Sequence, residues 1–482
     1  MIKYQNLDLK QRFIGTNPVG RVFKGSTLLW ETSEGYGVRW VHGDTSGAVE
    51  RIGNMEYHRT LPIQSNMKRC IRKENGDIQY ISDSDWTKDI DGTTIDYNAE
   101  GQDIMVEVPE HYYESYQKVE NGVTYDYLIL YPTVRLGKKV PKHYLGAFKS
   151  MLNRDTNKLY STVKIDANSL YDSNGDANGS SFTYPANAST YRGGGNDTTY
   201  DSTGKTLFGR PVSNISIANF CTYAKNRGDG YALKHWESHW CLWRLFVVEY
   251  ATFNCQDTFT ETLTADGYHQ GGLGFGLCST TDVWSSYNNY NPIAPCGITL
   301  RLGSKTGIVK YTPAVQYSND AYFEVPSYRG VENPFADIWE ITNGLYIVGA
   351  NSKNYIMTAD NGWYVRDFNY GSTSTPITGF TSRTADKNLG LVQGWPTDFI
   401  WDSHGDIIPT VINTTAANTE DSTSPFRDYF WGTNTGAKRA MLGGSLNYGI
   451  RAGLAYFFVS NGVGAVYRSH GSRLLYMPPV SN

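Results

Sequence analysis

Short apolar runs bounded by turn residues dominate this chain, and they predict strands more often than helices. Residues Ile104 to Val108 lie between Gly101 and Pro109 and alternate in the manner of a half-buried strand. The runs Arg39 to Val41 and Ile78 to Ile81 predict shorter strands. Residues 51 to 65 show no helical period and read as an ordered loop at a sheet edge. Two segments predict helices. Ser216 can cap the first, which runs through Asn219 to Lys225 and stops by Gly228. The second spans Trp236 to Phe253 and is apolar nearly all round in its middle, so it must be buried on most faces. Asp172 to Lys205 is almost entirely small, polar and turn-forming, with Gly193, Gly194 and Gly195 in a row, and reads as a long loop. Residues 351 to 430, rich in Thr, Asn and Asp, read as a second extended insertion.

Composition narrows the function classes. A chain of 482 residues is expected to hold about two to four domains. Charged residues make up only 19% and the formal net charge is -4, which gives no electrostatic case for nucleic acid and excludes an acidic tail or a disordered coat. The 36 tyrosines and 49 glycines instead suit a turn-dense, β-rich protein whose surfaces bind or assemble. Cys70, Cys221, Cys241, Cys255, Cys278 and Cys296 show no Cys-x-x-Cys spacing and are too sparse for a disulfide scaffold. The opening residues lack the apolar stretch of a signal peptide and no run of about 18 apolar residues occurs, so the expected product is soluble, made in a cytosol and not inserted in a membrane.

Three motifs resemble chemistry without completing it. His235, Glu237 and His239 open the second helix, but a zinc protease places its Glu directly after the first His, and here it sits one position late. Capping and packing at the start of a buried helix is the preferred reading. Asp172, Asn174, Asp176 and Asn178 alternate like calcium ligands, yet Ala177 stands where an EF-hand needs Gly and Thr183 where it needs Glu, so a turn-rich surface loop is expected. Gly271, Gly272, Gly274 and Gly276 follow a polar turn and open no helix, which favours close backbone packing over a phosphate cradle.

The end of the chain carries the strongest signal. Gly443 and Gly444 follow an apolar run; Arg451 and Gly453 precede an aromatic run; Gly471, Ser472 and Arg473 open a last strand. Upstream, Asn333, Pro334, Phe335, Ile338, Trp339 and Glu340 form an Asn-Pro-aromatic-x-x-apolar-Trp-Glu segment. Together with the two helices, these motifs resemble the C-type lectin fold, in the branch shared by formylglycine-generating enzymes and the variable proteins of diversity-generating retroelements. The resemblance covers roughly residues 125 to 482. It implies an α+β, β-rich molecule with an N-terminal β-rich attachment or oligomerisation region (1–124) and a lectin-like domain (125–482) interrupted near 166–205 and 351–430.

The oxidases of this branch use a C-terminal cysteine pair. No cysteine lies beyond Cys296 here, so no enzyme activity, metal or cofactor is expected. The calcium triad of sugar-binding animal lectins is also missing. In the retroelement proteins, side chains between the Gly-Gly turn and the last strand form the ligand face; the matching positions are Leu446, Tyr448, Ile450, Arg451, Tyr456, Phe458, Tyr467, Arg468 and His470. Gly443 and Gly444 are assigned to turn geometry, and Arg473 to a buried charge pair. The run from Tyr456 to Val459 could also be core, and alternation then requires one of its faces to look outward unless something covers it.

The combined N-terminal and lectin-like pattern is similar to proteins of gut-bacterial phages, including crAss-like ones. That resemblance implies a homo-oligomeric (dimeric or trimeric) head or tail fibre on the virion surface, assembled in the bacterial cytoplasm. Its implied partners are other virion proteins and a bacterial surface glycan or protein. A purely structural fibre-base or decoration protein, whose aromatic face meets other subunits, is the alternative; a metal-dependent oxidase on the same fold is a further one.

Overall fold

The computed structural model describes residues 34–133, 137–278, 283–319, 321–350 and 436–478 without interruption, with isolated strands and short stretches between 13 and 31 and between 353 and 432. Much of the insertion expected at 351–430 lies outside the described residues.

Two sheets frame one long helix. The first is five-stranded and antiparallel, in the order Lys138–Val140, His111–Glu120, Val123–Tyr131, Tyr36–Val41 and Glu50–Gly53. Its long hairpin turns at Asn121 and Gly122, both at positive φ (50° and 81°), the backbone that a tight two-residue turn requires. The second sheet has 14 strands. Its central portion runs Phe430–Gly432, Gly453–Val459, Gly436–Gly443, Trp339–Ala350, His470–Tyr476, His143–Lys149, Asp103–Val108 and Lys68–Arg72.

The helix Trp236–Tyr250 contacts Tyr36–Val41 and Val123–Tyr131 of the first sheet and Trp339–Ala350 of the second. Every residue in it except Glu237 is buried, which explains its lack of a polar face. It ends at Ala251 in the left-handed conformation, short of the expected Phe253 boundary. The helix Ile217–Lys225 is capped as expected: the Ser216 side chain accepts from the Asn219 N–H.

The molecule is β-rich and α+β, with several sheets, as the sequence predicts. Two expectations need correction. Residues 51–65 are not a loop: they complete the strand Glu50–Gly53, form the helix Met55–Thr60, capped by Asn54, and add a short 3-10 turn at Gln64–Asn66. A helix of six residues is too short to show a period. The boundary at 124/125 falls inside the strand Val123–Tyr131, and Asp103–Val108 pairs with His143–Lys149. Residues 34–124 therefore share both sheets with strands from beyond that boundary, and the main apolar cluster runs from Tyr36 to Met477.

A buried charge node locks the second sheet. Glu340 is 2% exposed and accepts from Lys149 (3.1 Å), Lys234 and Arg473 (2.8 and 3.0 Å). Burial alone would raise its carboxyl, but the three cations outweigh that and hold it well below the usual carboxylate range. Arg473 also donates to the Gly146, Ala147, Glu332 and Asn333 carbonyls, so the expected buried pair is a hub joining three segments.

A candidate ligand cleft on the closing segment

Gly443 and Gly444 turn the chain at φ +87° and +76°, as their assignment to turn geometry requires. The following 3-10 stretch Leu446–Arg451 leads into Gly453–Val459. All seven residues of that strand are buried, and this overturns the expectation that Tyr456 and Phe458 point outward. Both faces are covered. Phe457 and Val459 enter the main core, where Phe457 lies 4.9 Å from the Trp236 ring. Tyr456 and Phe458 enter a second apolar cluster with Trp339, Tyr429 and Met441. Leu446 and His470 are buried as well, Leu446 because it plugs the main core. Tyr448, Ile450, Arg451 and Arg468 are half-buried, and Tyr467 is 49% exposed.

Part of the predicted set converges nevertheless. Tyr448, Phe458, Tyr467, Arg468 and His470 line an open cleft of about 410 Å³, whereas Leu446, Ile450, Arg451 and Tyr456 do not. Trp339 lies in its floor, edge-on to Tyr448 (5.1 Å) and tilted against Phe458 (5.1 Å). Trp339 shares a cluster with Ile217 and Phe220 of the first predicted helix, so it also has the core role expected of it. The facing wall was not foreseen: it comes from Trp284, Asn289 and Tyr290, with Asn214 beside them. Asn289 and Tyr290 are consecutive left-handed residues (φ 54° and 62°), and the Asn-rich run 288–291 is the sequence signal that could have marked this turn.

His470 has a fixed proton position. Its Nδ1 accepts from the Arg439 guanidinium, which can only donate, so the neutral ring carries its proton on Nε2. Burial, reinforced by Arg439, holds its pKa well below the usual histidine range and keeps it neutral. The Trp339 indole N–H and His470 Nε2 have no hydrogen-bond partner among the described residues, although the two residues are only 2% and 4% exposed. The carboxamides of Asn214, Asn289 and Asn461 on the cleft are likewise without a partner among the described residues. Among the described residues Arg468 is the one charged side chain lining the cleft, and its Nε has no hydrogen-bond partner. Gly195 leaves room for it, since a Cβ there would stand 3.2 Å from that nitrogen. The glycine triplet thus packs beside the cleft, with Gly193, Gly194 and the nearby Tyr191 buried, and not in a free loop.

The remaining motifs take structural roles. His235 Nδ1 accepts from the Glu237 N–H at the helix start, and His239 donates to the Leu454 carbonyl at 2.6 Å. The Asp172 carboxylate accepts from the Asn174 and Asp176 N–H groups (2.8 and 3.0 Å), closing its own turn. Gly272 packs against the Asp257 backbone, where a Cβ would meet its N and O at 2.8 Å. Among the described residues no three His, Cys, Asp or Glu side chains gather as metal ligands, and no helix is long and apolar enough to cross a membrane. No protein-family model matches this sequence, and no curated protein matches it either.

Proposed function

We propose that the chain is a virion surface protein of a phage of gut bacteria, a head or tail fibre component that presents a lectin-like domain for non-covalent adhesion to the host. The cleft carries this reading. Aromatic side chains and Arg468, with its unpaired Nε, meet there; Trp339, Phe458 and His470 stand on strands held by the buried core, and Tyr467 and Arg468 stand on the turn that leads into the last strand. Copies in a homo-oligomer would convert weak single contacts into avidity.

A structural role among virion subunits has its own support. The hairpin His111–Glu120 to Val123–Tyr131 leaves Val119 (66%) exposed on one face near its tip and Val123 and Tyr116 (38% and 39%) on the other, apolar surface that a neighbouring subunit would cover.

Fluorescently labelled protein applied to a panel of gut-bacterial strains separates the two. Adhesion predicts strain-selective binding that falls when Tyr467→Ala and Arg468→Ala are combined in a protein of unchanged thermal midpoint. Tyr467 and Arg468 are the side chains to change because they reach solvent, unlike Tyr456. No binding by the folded oligomer to any strain would favour the subunit role.

A further inference from the structure

We infer that the cleft takes a saccharide bearing a carboxylate, bound without a metal ion. The inference rests on the adhesion reading and specifies its ligand.

The lining is asymmetric in hydrogen-bonding character. Trp339 Nε1–H and His470 Nε2–H can only donate, because Arg439 occupies the one acceptor nitrogen of His470. Arg468 adds a guanidinium, and no Asp or Glu lines the cleft among the described residues. A donor-only floor beside a cation selects oxygen acceptors that carry negative charge. Among the described residues neither N–H has a protein partner, and neither is fully enclosed, so both stay open to an acceptor that enters the cleft and displaces water. Among the described lining residues there is no carboxylate to balance the charge of a calcium ion, and Arg468 beside the site disfavours a cation.

The rest of the lining suits a sugar ring. Tyr467 and Tyr290 line the cleft as partly exposed aromatics, and the carboxamides of Asn214, Asn289 and Asn461 can each donate to and accept from hydroxyls. The volume of about 410 Å³ falls in the range of about 300–1,000 Å³ for small-molecule sites, enough for a short saccharide unit. A phosphate or a peptide carboxylate would satisfy the donors, but neither would use a rim of aromatic faces and amides.

The test is calorimetric titration of the full chain with galacturonate oligosaccharides and matched neutral galactose oligosaccharides, with and without EDTA. The acidic series should bind at least about ten-fold more tightly, a preference worth one charge-assisted contact. Arg468→Gln should erase the preference while leaving neutral binding in place, Tyr467→Ala should weaken both series, and EDTA should change nothing. Equal binding of the two series, binding of neither, or binding that requires calcium would overturn the inference. The same protein on cells keeps the two readings apart. Adhesion that survives periodate oxidation of the cell surface but not protease treatment would overturn the saccharide and leave adhesion standing. Saccharide binding with no adhesion to any strain would do the reverse.

Discussion

Glu340 shows how a single side chain can matter more than its size suggests. It neutralises three buried cations, and a neutral residue there leaves Lys149, Lys234 and Arg473 facing one another without water. Glu340→Gln should therefore lower stability by about 3–5 kcal/mol, read as a shift in the urea midpoint at unchanged slope. An unmoved midpoint would mean that the cations find other partners. The role of Arg473 was legible in sequence because a charged residue within an apolar strand is tolerated only when it is paired. Its partner was not. Glu340 lies 133 residues away, and only the parallel pairing of Glu340 with Gly471 brings the two strands together. The donors of the cleft escaped notice for a similar reason: His470 was named as a contact, but its proton is placed by Arg439 across the sheet.

At the scale of elements, the strand Gly453–Val459 marks the limit of pattern reading. Period-two alternation tells which residues share a face but not whether each face has a cover. Here a second aromatic cluster covers the face that was expected to meet a ligand. Tyr456→Ala should accordingly act as a core truncation, costing about 3–5 kcal/mol in thermal or chemical unfolding. A fully stable Tyr456→Ala protein that lost only binding would restore the outward reading. The helices were easier to read. Ser216 and the all-round apolar run from Trp240 leave local marks, whereas Met55–Thr60 is too short to display a period and announces itself only through its Asn54 cap.

At the scale of the whole molecule, the buried histidines set a pH response. Burial pushes His111, His143 and His235 down to about 3, 4 and 4, from 6.5 for the free side chain. His239 and His470 shift in the same direction. Below pH 6.5 the unfolded chain binds protons that the folded chain refuses, so stability falls as pH drops, by up to about 1.4 kcal/mol per pH unit for each histidine. Asp337, pushed up to about 6 by burial, works in the opposite sense, since its folded form takes up a proton first as pH falls. Burial raises Asp126, Glu332 and Asp428 as well, so carboxylates offset part of the loss, while His58 and His269 add to it. Thermal midpoints measured stepwise from pH 7 to 4.5 should decline from about pH 6.5 downward; a flat profile would show that the histidines open to solvent before they titrate.

The strand His470–Tyr476 sits inside the large sheet, with His143–Lys149 along one edge and Trp339–Ala350 followed by Tyr231–Leu233 along the other. The ribosome makes it after all of these. At about 5–20 residues per second, the 320 residues between Lys149 and His470 take roughly 15–65 s to synthesise. Throughout that interval the edge of His143–Lys149 lacks its partner, and the second edge, made at Tyr231–Leu233 and Trp339–Ala350, joins it before the partner exists. Aggregation during synthesis is thus a hazard set by topology, and it is greatest just before the chain can fold.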